Sequence, residues 1–240
     1  MASPSRTWLP GVHESFNIQT DPETYEIENL ALDPEGRIEA AMRSVADWAG
    51  RDVLDLGAGT GYHVPGFALT ARHVYAVEPH DPSRLLAMGR CARLGILNAS
   101  VLVGSAESIP LRDSSVDIVH ARFAYFWGPG SEAGIEEVRR VLRPGGTAFI
   151  IDNDLRSGTF AAWLRRAAEG GDRDPDQVEG FWRDRGFTLT RIPSAWRFER
   201  RLDLERVVRN EFPPELAEEL LVEQADLDVD YHYALYARTF

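Results

Sequence analysis

Lysine is absent from this 240-residue sequence, so arginine supplies all 26 of its lysine-plus-arginine charges, against 38 acidic side chains. The formal net charge is −12 at pH 7. A nucleic acid or an anionic membrane needs a cationic surface on its protein partner, so this balance argues against both as main partners. The missing lysine also excludes a Walker-type loop, in which a lysine contacts the phosphates of a nucleotide.

Cysteine and long apolar runs are equally scarce. The single cysteine, Cys91, cannot form an internal disulfide, and no cysteine or histidine cluster has zinc spacing. We interpret Cys91 as a packing residue on a helix. No segment approaches the roughly 18 apolar residues of a membrane span, and the first residues lack the apolar core of a signal peptide. We therefore expect a cytoplasmic protein with no membrane partner.

Short runs rich in valine and isoleucine alternate with longer amphipathic stretches between residues 51 and 152. This alternation is typical of buried parallel strands joined by crossover helices. We predict an α/β fold with a seven-stranded, mostly parallel sheet and helices on both faces. The predicted strands are 52–56, 73–78, 100–104, 116–121, 147–152, 187–198 and 229–237. The predicted helices are 62–70, 82–94, 131–142, 159–168, 203–210 and 214–225, with one more that ends at Gly186.

A further helix is predicted ahead of the first strand. Asp33 is its expected N-cap and Pro34 lies in its first turn, and an apolar stripe that includes Ile38 and Met42 follows. We divide the chain into an N-terminal segment, residues 1–32, and a main domain, residues 33–240. The segment either folds over the site as a lid or wraps the surface.

The stretch "VLDLGAGTGYHV", residues 53–64, runs from a strand into a glycine loop. Gly57, Gly59 and Gly61 allow unusual backbone dihedral angles and let a ligand lie against the main chain. The spacing is G-x-G-x-G, and the G-x-G-x-x-G spacing of nicotinamide and flavin sites is absent because residue 62 is Tyr. The carboxylate of Asp55 beside the loop repels phosphate and suits an ammonium group, as on an amino-acid moiety.

The second predicted strand ends at another acid, Glu78. A carboxylate at that position accepts two hydrogen bonds from the hydroxyls of an unphosphorylated ribose, which implies a nucleoside. The third strand is followed by "GSAESIPL". Main-chain or side-chain groups at residues 105–107 of this loop are placed to contact the edge of an adenine ring.

Together these residues resemble the class I S-adenosylmethionine-dependent methyltransferases, especially the ubiquinone/menaquinone biosynthesis group. "VLDLGAGTG", "VEP", "GSAESIPLRDSSVDIV" and "EVRRVLRPGG" occur in the order and spacing of that family, between about residues 33 and 148. The resemblance implies a Rossmann-like fold, S-adenosylmethionine as cofactor and S-adenosylhomocysteine as product. One position departs from the family, which usually has Asp where this chain has Ser105. The implied cofactor-binding residues are Asp55, Gly57, Ala58, Gly59, Gly61, Glu78, Pro79, Ser105, Ala106, Glu107, Ala121 and Arg122.

The acceptor of the methyl group is expected to be a small molecule that contacts the loops after the fourth and fifth strands. Methyl transfer depends on in-line placement and desolvation, so a dedicated general base is optional. The candidates for catalytic roles are His120, Asp152 and Asn153. We predict that Tyr25, Tyr125 and Trp127 contact the acceptor, although aromatic residues at such junctions also serve as core packing.

The pair Asp152 and Asn153 also resembles the metal ligands that follow the fifth strand in cation-dependent, catechol-type O-methyltransferases. That site needs a further carboxylate after the fourth strand, where this chain has Arg122. We therefore predict no metal. A metal-dependent O-methyltransferase and a non-methylating S-adenosylmethionine-binding protein remain the alternatives.

Overall fold

The computed structural model describes residues 15–167 and 173–240. The predicted segment 1–32 lies partly outside this range, as do residue 168 of one predicted helix and part of the polar break after it. Among the described residues, no helix combines the length and apolar character needed to cross a membrane.

Seven strands form one mixed, mostly parallel sheet in the order β3-β2-β1-β4-β5-β7-β6, a Rossmann-like arrangement that confirms the predicted fold class. Strand β1 pairs in parallel with both β2 and β4, and β2 pairs in parallel with β3. The strand bounds are β1 Asp52–Leu56, β2 His73–Val77, β3 Ala99–Leu102, β4 Val116–Arg122, β5 Leu142–Gly158, β6 Thr188–Arg197 and β7 Asp228–Thr239.

Helices connect the strands and precede the first of them. Those before β1 are α1 Phe16–Thr20, α2 Pro22–Ala31 and α3 Arg37–Val45. The next three are α4 Val64–Ala68, α5 Asp81–Leu94 and α6 Glu132–Val141. The last four are α7 Thr159–Ala167, α8 Pro175–Asp184, α9 Arg201–Glu211 and α10 Pro214–Glu223.

The largest differences from the predicted elements concern one helix, one strand and Pro34. The helix expected over 62–70 is only Val64–Ala68, because turns continue the glycine loop as far as His63. Strand β5 begins at Leu142, well before the predicted 147, because main-chain hydrogen bonds join Gly145 and Gly146 to Phe240. Pro34 is not in the first turn of α3.

Asp33 still caps helix α3, although from further away than predicted. Its backbone is left-handed, with φ of 52°, and residues 34–36 form a turn before the helix. The Asp33 carboxylate accepts hydrogen bonds from the main-chain N–H groups of Arg37 (3.1 Å) and Ile38 (2.8 Å). The carboxylate therefore satisfies two of the N–H groups that a helix start leaves unpaired.

The chain comprises two compact units. The described part of the first is Ser15, residues 46–150 and residues 237–240. Its core contains the fully buried strand β1 and the side chain of Trp48, whose ring meets that of Phe67 edge-on at 5.2 Å. Cys91 on α5 is 9% exposed in this unit, and burial raises the pKa of its thiol.

The second unit comprises residues 16–45 and 151–236. Its core is aromatic. The ring of Tyr231 stacks on that of Phe160, with centroids 4.0 Å apart, and meets the ring of Trp196 edge-on at 5.1 Å. All three side chains are at most 2% exposed, so we expect them to contribute strongly to the stability of this unit.

Candidate cofactor site

The residues predicted to bind a cofactor cluster at the carboxyl ends of four strands in the first unit. Strands β3, β2, β1 and β4 are neighbours and run in parallel, so these ends share one edge of the sheet. The ends of such strands are the usual ligand-binding edge of an open α/β sheet. The candidate cofactor residues on this edge are Asp55, Gly57, Ala58, Gly59, Gly61, Glu78, Pro79, Ser105, Ala106, Glu107, Ala121 and Arg122.

The glycine loop passes close to neighbouring elements. Gly57 has a left-handed backbone, with φ of 74°, and a Cβ at this position would lie 2.4 Å from the Cβ of Ala124. Gly61 has φ of 75°, and a Cβ there would lie 2.9 Å from the Cβ of Ala87. At both positions only glycine satisfies the backbone angle and the space together.

Glu78 links the end of β2 to the glycine loop. Its Oε2 accepts a hydrogen bond of 2.8 Å from the N–H of Gly59, and its Oε1 accepts one of 2.8 Å from the N–H of His80. The side chain is 6% exposed, and burial raises its pKa to about 6. Each carboxylate oxygen has a second lone pair, so the group can still accept hydrogen bonds from a ligand.

Asp55 is paired with a histidine. Asp55 and His120 are register partners on β1 and β4, and the Nδ1 atom of His120 lies 2.8 Å from Oδ1 of Asp55. Both residues are 2% exposed. The other carboxylate oxygen, Oδ2, is buried and accepts no hydrogen bond from the described residues. An unpaired buried oxygen on a carboxylate is costly, so Oδ2 is available to a donor on a ligand or on a water molecule.

A second histidine packs on this pair. The ring of His63 meets that of His120 edge-on at 5.0 Å, and the ring of Phe67 does so at the same distance. Burial lowers the pKa of His63 well below its usual range, and the neighbouring basic groups His120 and Arg122 lower it further. His63 is therefore neutral at pH 7, which sequence reasoning did not anticipate.

The loop after β3 is held by a residue that sequence reasoning missed. The guanidinium of Arg140 on α6 donates to the carbonyls of Ile109 (3.0 Å) and Leu111 (2.8 Å) and to the carboxylates of Glu137 and Asp113. Those carboxylates raise the pKa of Arg140. Its position in the matched stretch "EVRRVLRPGG" was the available signal, but the spacing alone does not show which loop an arginine holds.

The same loop contains the predicted adenine-binding residues. The main chains of Ser105 and Ser108 exchange hydrogen bonds of 3.3 and 3.2 Å, which forms a tight turn. Ala106 is buried within this turn and Glu107 is exposed. The main chain around Ala106 therefore lies next to the strand ends, where the sequence predicts contact with the adenine edge.

The loop after β4 has an unusual backbone. Phe123 and Tyr125 have positive φ angles of 51° and 57°. The hydroxyl of Tyr125 donates a 2.9 Å hydrogen bond to Oε1 of Glu107, and burial together with this acid raises its pKa to about 12. A predicted acceptor residue is thus bonded to a predicted cofactor residue. Left-handed non-glycine residues cost free energy and are often found at functional sites.

The aromatic residues that follow have different environments. Phe126 is 2% exposed and packs edge-on against Tyr125 at 5.0 Å, so it serves as core packing. Trp127 is 39% exposed. Of the predicted acceptor residues on this loop, Trp127 is therefore the more accessible.

The remaining candidates lie in the second unit. The buried carboxylate of Asp152 forms an ion pair of 2.5 Å with Arg173 and accepts a 2.8 Å hydrogen bond from the N–H of Asn153. Oδ1 of Asn153 accepts a hydrogen bond from the hydroxyl of Tyr231. Tyr25 lies half-buried on α2. In the described part of the chain, no three histidine, cysteine or acidic residues form a group that could hold a metal ion.

Comparison with known proteins adds a family match to this geometry. Residues 53–146 match the family model described as a methyltransferase domain. A stretch of 138 residues is 41% identical to an uncharacterized methyltransferase of Mycobacterium bovis, covering 55% of this chain and 53% of the relative. Another, of 124 residues, is 33% identical to the ubiquinone/menaquinone biosynthesis C-methyltransferase of Rubrivivax gelatinosus, covering 52% and 46%. The chain thus spans about half the length of these curated relatives.

The fold has a solved counterpart. The crystal structure of the YcgJ protein of Bacillus subtilis superposes with a TM-score of 0.61 and 18% sequence identity, covering 85% of this chain and 98% of that one. At this identity the likeness establishes the architecture alone.

Proposed function

We infer that this chain, which carries a methyltransferase domain at residues 53–146, transfers the methyl group of S-adenosylmethionine to a small-molecule acceptor. The observation that carries the proposal is the buried, unpaired Oδ2 of Asp55 beside a glycine loop that Glu78 holds from the next strand. One carboxylate is thus available to an ammonium group, and the other has lone pairs for ribose hydroxyls.

The donor set suits the ammonium, ribose and adenine groups of S-adenosylmethionine. Asp55 would hold its ammonium group, Glu78 its ribose hydroxyls, and the main chain around Ala106 its adenine. The loop lets the methionine moiety approach the backbone at Gly57, Gly59 and Gly61, which have no side chains. A dinucleotide would place phosphates beside the buried carboxylate of Asp55, which electrostatic repulsion disfavours.

The chemistry requires placement more than it requires a base. When bound, S-adenosylmethionine supplies an electrophilic methyl carbon on a sulfonium centre. The residues of this chain orient that centre, exclude water and hold the acceptor in line with it, which lowers the barrier through proximity and desolvation. His120 is buried and bonded to Asp55, so we do not assign it the role of general base toward the acceptor.

Two observations support a small-molecule acceptor: the net charge of the chain and the names of its relatives. A net charge of −12 disfavours polyanionic acceptors such as nucleic acid. The named relatives include a ubiquinone/menaquinone biosynthesis C-methyltransferase and a malonyl-[acyl-carrier protein] O-methyltransferase of Methylococcus capsulatus. We propose a small organic acceptor for this chain, held by Tyr125 and Trp127 in the loop after β4, with methyl transfer that needs no metal.

Calorimetric titration with S-adenosylhomocysteine and, in parallel, with NADH tests the cofactor assignment. We expect one S-adenosylhomocysteine per chain and no binding of NADH; the reverse result refutes the assignment. Incubation with methyl-labelled S-adenosylmethionine and a panel of phenols, quinols, amines and carboxylic acids then tests turnover. Tight cofactor binding with no labelled product from any acceptor class would favour the non-methylating alternative.

A further inference from the structure

His120 and Asp55 form a buried pair that the transfer reaction itself does not explain. They face each other across β4 and β1 as register partners, with Nδ1 and Oδ1 2.8 Å apart. An ionised carboxylate only accepts hydrogen bonds, so Nδ1 of the imidazole must hold the proton of this bond. The pair therefore fixes which ring nitrogen of His120 is protonated.

Two neighbouring rings pack against the His120 side chain of this pair. The rings of His63 and Phe67 both meet the His120 ring edge-on with centroids 5.0 Å away. The His120 side chain therefore has little freedom to rotate, and the strand register leaves it directly beside Asp55. An aspartate alone would keep its freedom of rotation about χ2, which is a broad torsion.

The structure assigns to His120 the positioning of Asp55 for recognition of the cofactor's ammonium group. The bond to Nδ1 occupies Oδ1 and fixes the carboxylate plane, which leaves the buried Oδ2 as the oxygen that receives the ligand. A carboxylate oriented before binding loses less entropy when the ammonium arrives. His120 thus acts through Asp55 and touches neither the methyl group nor the acceptor. This inference rests on the proposed function.

Two probes separate this role from general support of the fold. S-adenosylhomocysteine carries the ammonium group, whereas 5′-methylthioadenosine shares its adenosine and thioether but lacks the amino-acid part. If His120 orients Asp55, its loss weakens the first probe alone. If His120 only supports the core, both probes weaken together.

Two replacements of His120 with amide side chains of different length show whether the hydrogen bond to Asp55 is what matters. In His120→Asn the side-chain amide lies where Nδ1 lies, so a donor to Asp55 is kept. In His120→Gln the amide lies further out, near the position of Nε2, and the short contact with Oδ1 is lost. His73→Asn is the matched control, because His73 begins β2 at the opposite end of the strands and its Nε2 lies 2.9 Å from the hydroxyl of Ser100, away from Asp55.

Calorimetry on the folded full chain gives the dissociation constants of both probes. We expect His120→Gln to weaken S-adenosylhomocysteine by about tenfold or more, the effect of one hydrogen bond to a charged group, and methylthioadenosine by less than about twofold. His120→Asn should stay within about threefold of the original protein for both probes, and His73→Asn should leave both unchanged.

Equal loss of both probes in His120→Gln, or no loss of S-adenosylhomocysteine, would overturn the positioning role. Should His120→Gln fail to fold by near-ultraviolet circular dichroism, His120→Leu and His120→Asn are compared by the same ratio of the two dissociation constants. If the unsubstituted protein binds neither probe, the proposed function itself is refuted. That result differs from one in which the unsubstituted protein binds both probes and His120→Gln weakens them equally, which overturns only the positioning role.

Discussion

The carboxylate of Glu78 accepts a 2.8 Å hydrogen bond from the main-chain N–H of Gly59, so the acid that follows β2 is joined to the loop that follows β1. The same side chain is expected to bind the ribose of the cofactor. Glu78 therefore holds the loop in the free protein, and on our proposal it also binds the ligand, so its ionisation should affect both.

Cofactor affinity should fall in acid because of Glu78. Burial raises the pKa of this carboxyl from 4.5 to about 6 in the free protein, whereas hydrogen bonds from ribose hydroxyls favour the ionised form. Below pH 6 the group must lose a proton when the ligand binds. We expect the dissociation constant of S-adenosylhomocysteine to rise by roughly tenfold between pH 7 and pH 5, as the binding-competent fraction falls. Calorimetry across this range measures the rise.

Glu78→Gln provides the control for that measurement. This variant should bind S-adenosylhomocysteine about tenfold or more weakly at pH 7, because it loses a charged acceptor worth roughly 1.5–3 kcal/mol. Its affinity should then change little between pH 7 and pH 5. Glu136→Gln, at an exposed acid on α6, should behave as the original protein. If the affinity of Glu78→Gln falls between pH 7 and pH 5 as much as that of the original protein, the pH dependence comes from another group.

The raised pKa of Glu78 should also make the free energy of unfolding depend on pH. A carboxyl whose pKa is higher in the folded state than in the unfolded state binds more protons when folded between pH 4.5 and 6. The contribution of Glu78 to stability is therefore fully present below pH 4.5 and is lost as the pH rises to about 6. Urea unfolding measures the free energy of unfolding at pH 4.5 and at pH 6.5. We expect it to decrease less between these two pH values in Glu78→Gln than in the original protein. An equal decrease in the two proteins would contradict this prediction.

Two glycine substitutions should have opposite effects. Gly57→Ala combines a left-handed backbone with a Cβ 2.4 Å from that of Ala124, so we expect a loss of roughly 2–4 kcal/mol in the free energy of unfolding. Gly89 is exposed within helix α5 and has open space around its Cβ position. Gly89→Ala should therefore stabilise the protein by about 0.5–1 kcal/mol. Urea denaturation measures the free energy of unfolding of both variants. Equal changes in the two variants would show that neighbouring residues move enough to accommodate the new Cβ at residue 57.

Arg140 should matter for cofactor affinity although it lies on α6. Arg140→Met keeps the aliphatic stem and removes the donors to the Ile109 and Leu111 carbonyls, so the loop with residues 105–107 loses its anchor. We expect a loss of about 1–3 kcal/mol in stability and a severalfold weaker S-adenosylhomocysteine complex. Arg139→Met is the control, because the neighbouring Arg139 is exposed and lies 3.8 Å from its partner Glu136. Similar affinities for the two variants would show that the loop is held without Arg140.

Methyl transfer should persist in excess EDTA. Asp152 is paired with Arg173 and Asn153 is bonded to Tyr231, so a divalent ion at this pair would have to displace an arginine. Once an acceptor is known, turnover is measured with and without EDTA. Loss of turnover in EDTA and its return with magnesium would favour the catechol-type alternative over our proposal.

The positions of β1 and β2 follow from the sequence because both strands are short runs rich in apolar residues between turn signals. Strand β1 was predicted at 52–56 and β2 at 73–78, and the structure has Asp52–Leu56 and His73–Val77. The resemblance to methyltransferases also indicated the order of the loops along the ligand-binding edge. Both signals are local or depend on motif spacing, which is why a single sequence reveals them.

The contacts between loops were not predictable in the same way. The bond between His120 and Asp55 depends on the register of β4 against β1, and hydrophobic periodicity does not specify register between two strands that are buried on both faces over most of their length. The early start of β5 has a similar cause. Pro144 and Gly145 indicate the end of a helix by local rules, but main-chain pairing of Gly145 and Gly146 with Phe240 continues the strand there.

The buried thiol of Cys91 has a practical consequence for labelling. Thiol reagents react with the thiolate, and burial together with a raised pKa makes Cys91 a slow target. The sequence has no lysine side chain to compete for less selective reagents. Trp127→Cys would therefore place one fluorophore on the loop after β4, and its emission would follow ligand binding in real time without removal of the native cysteine.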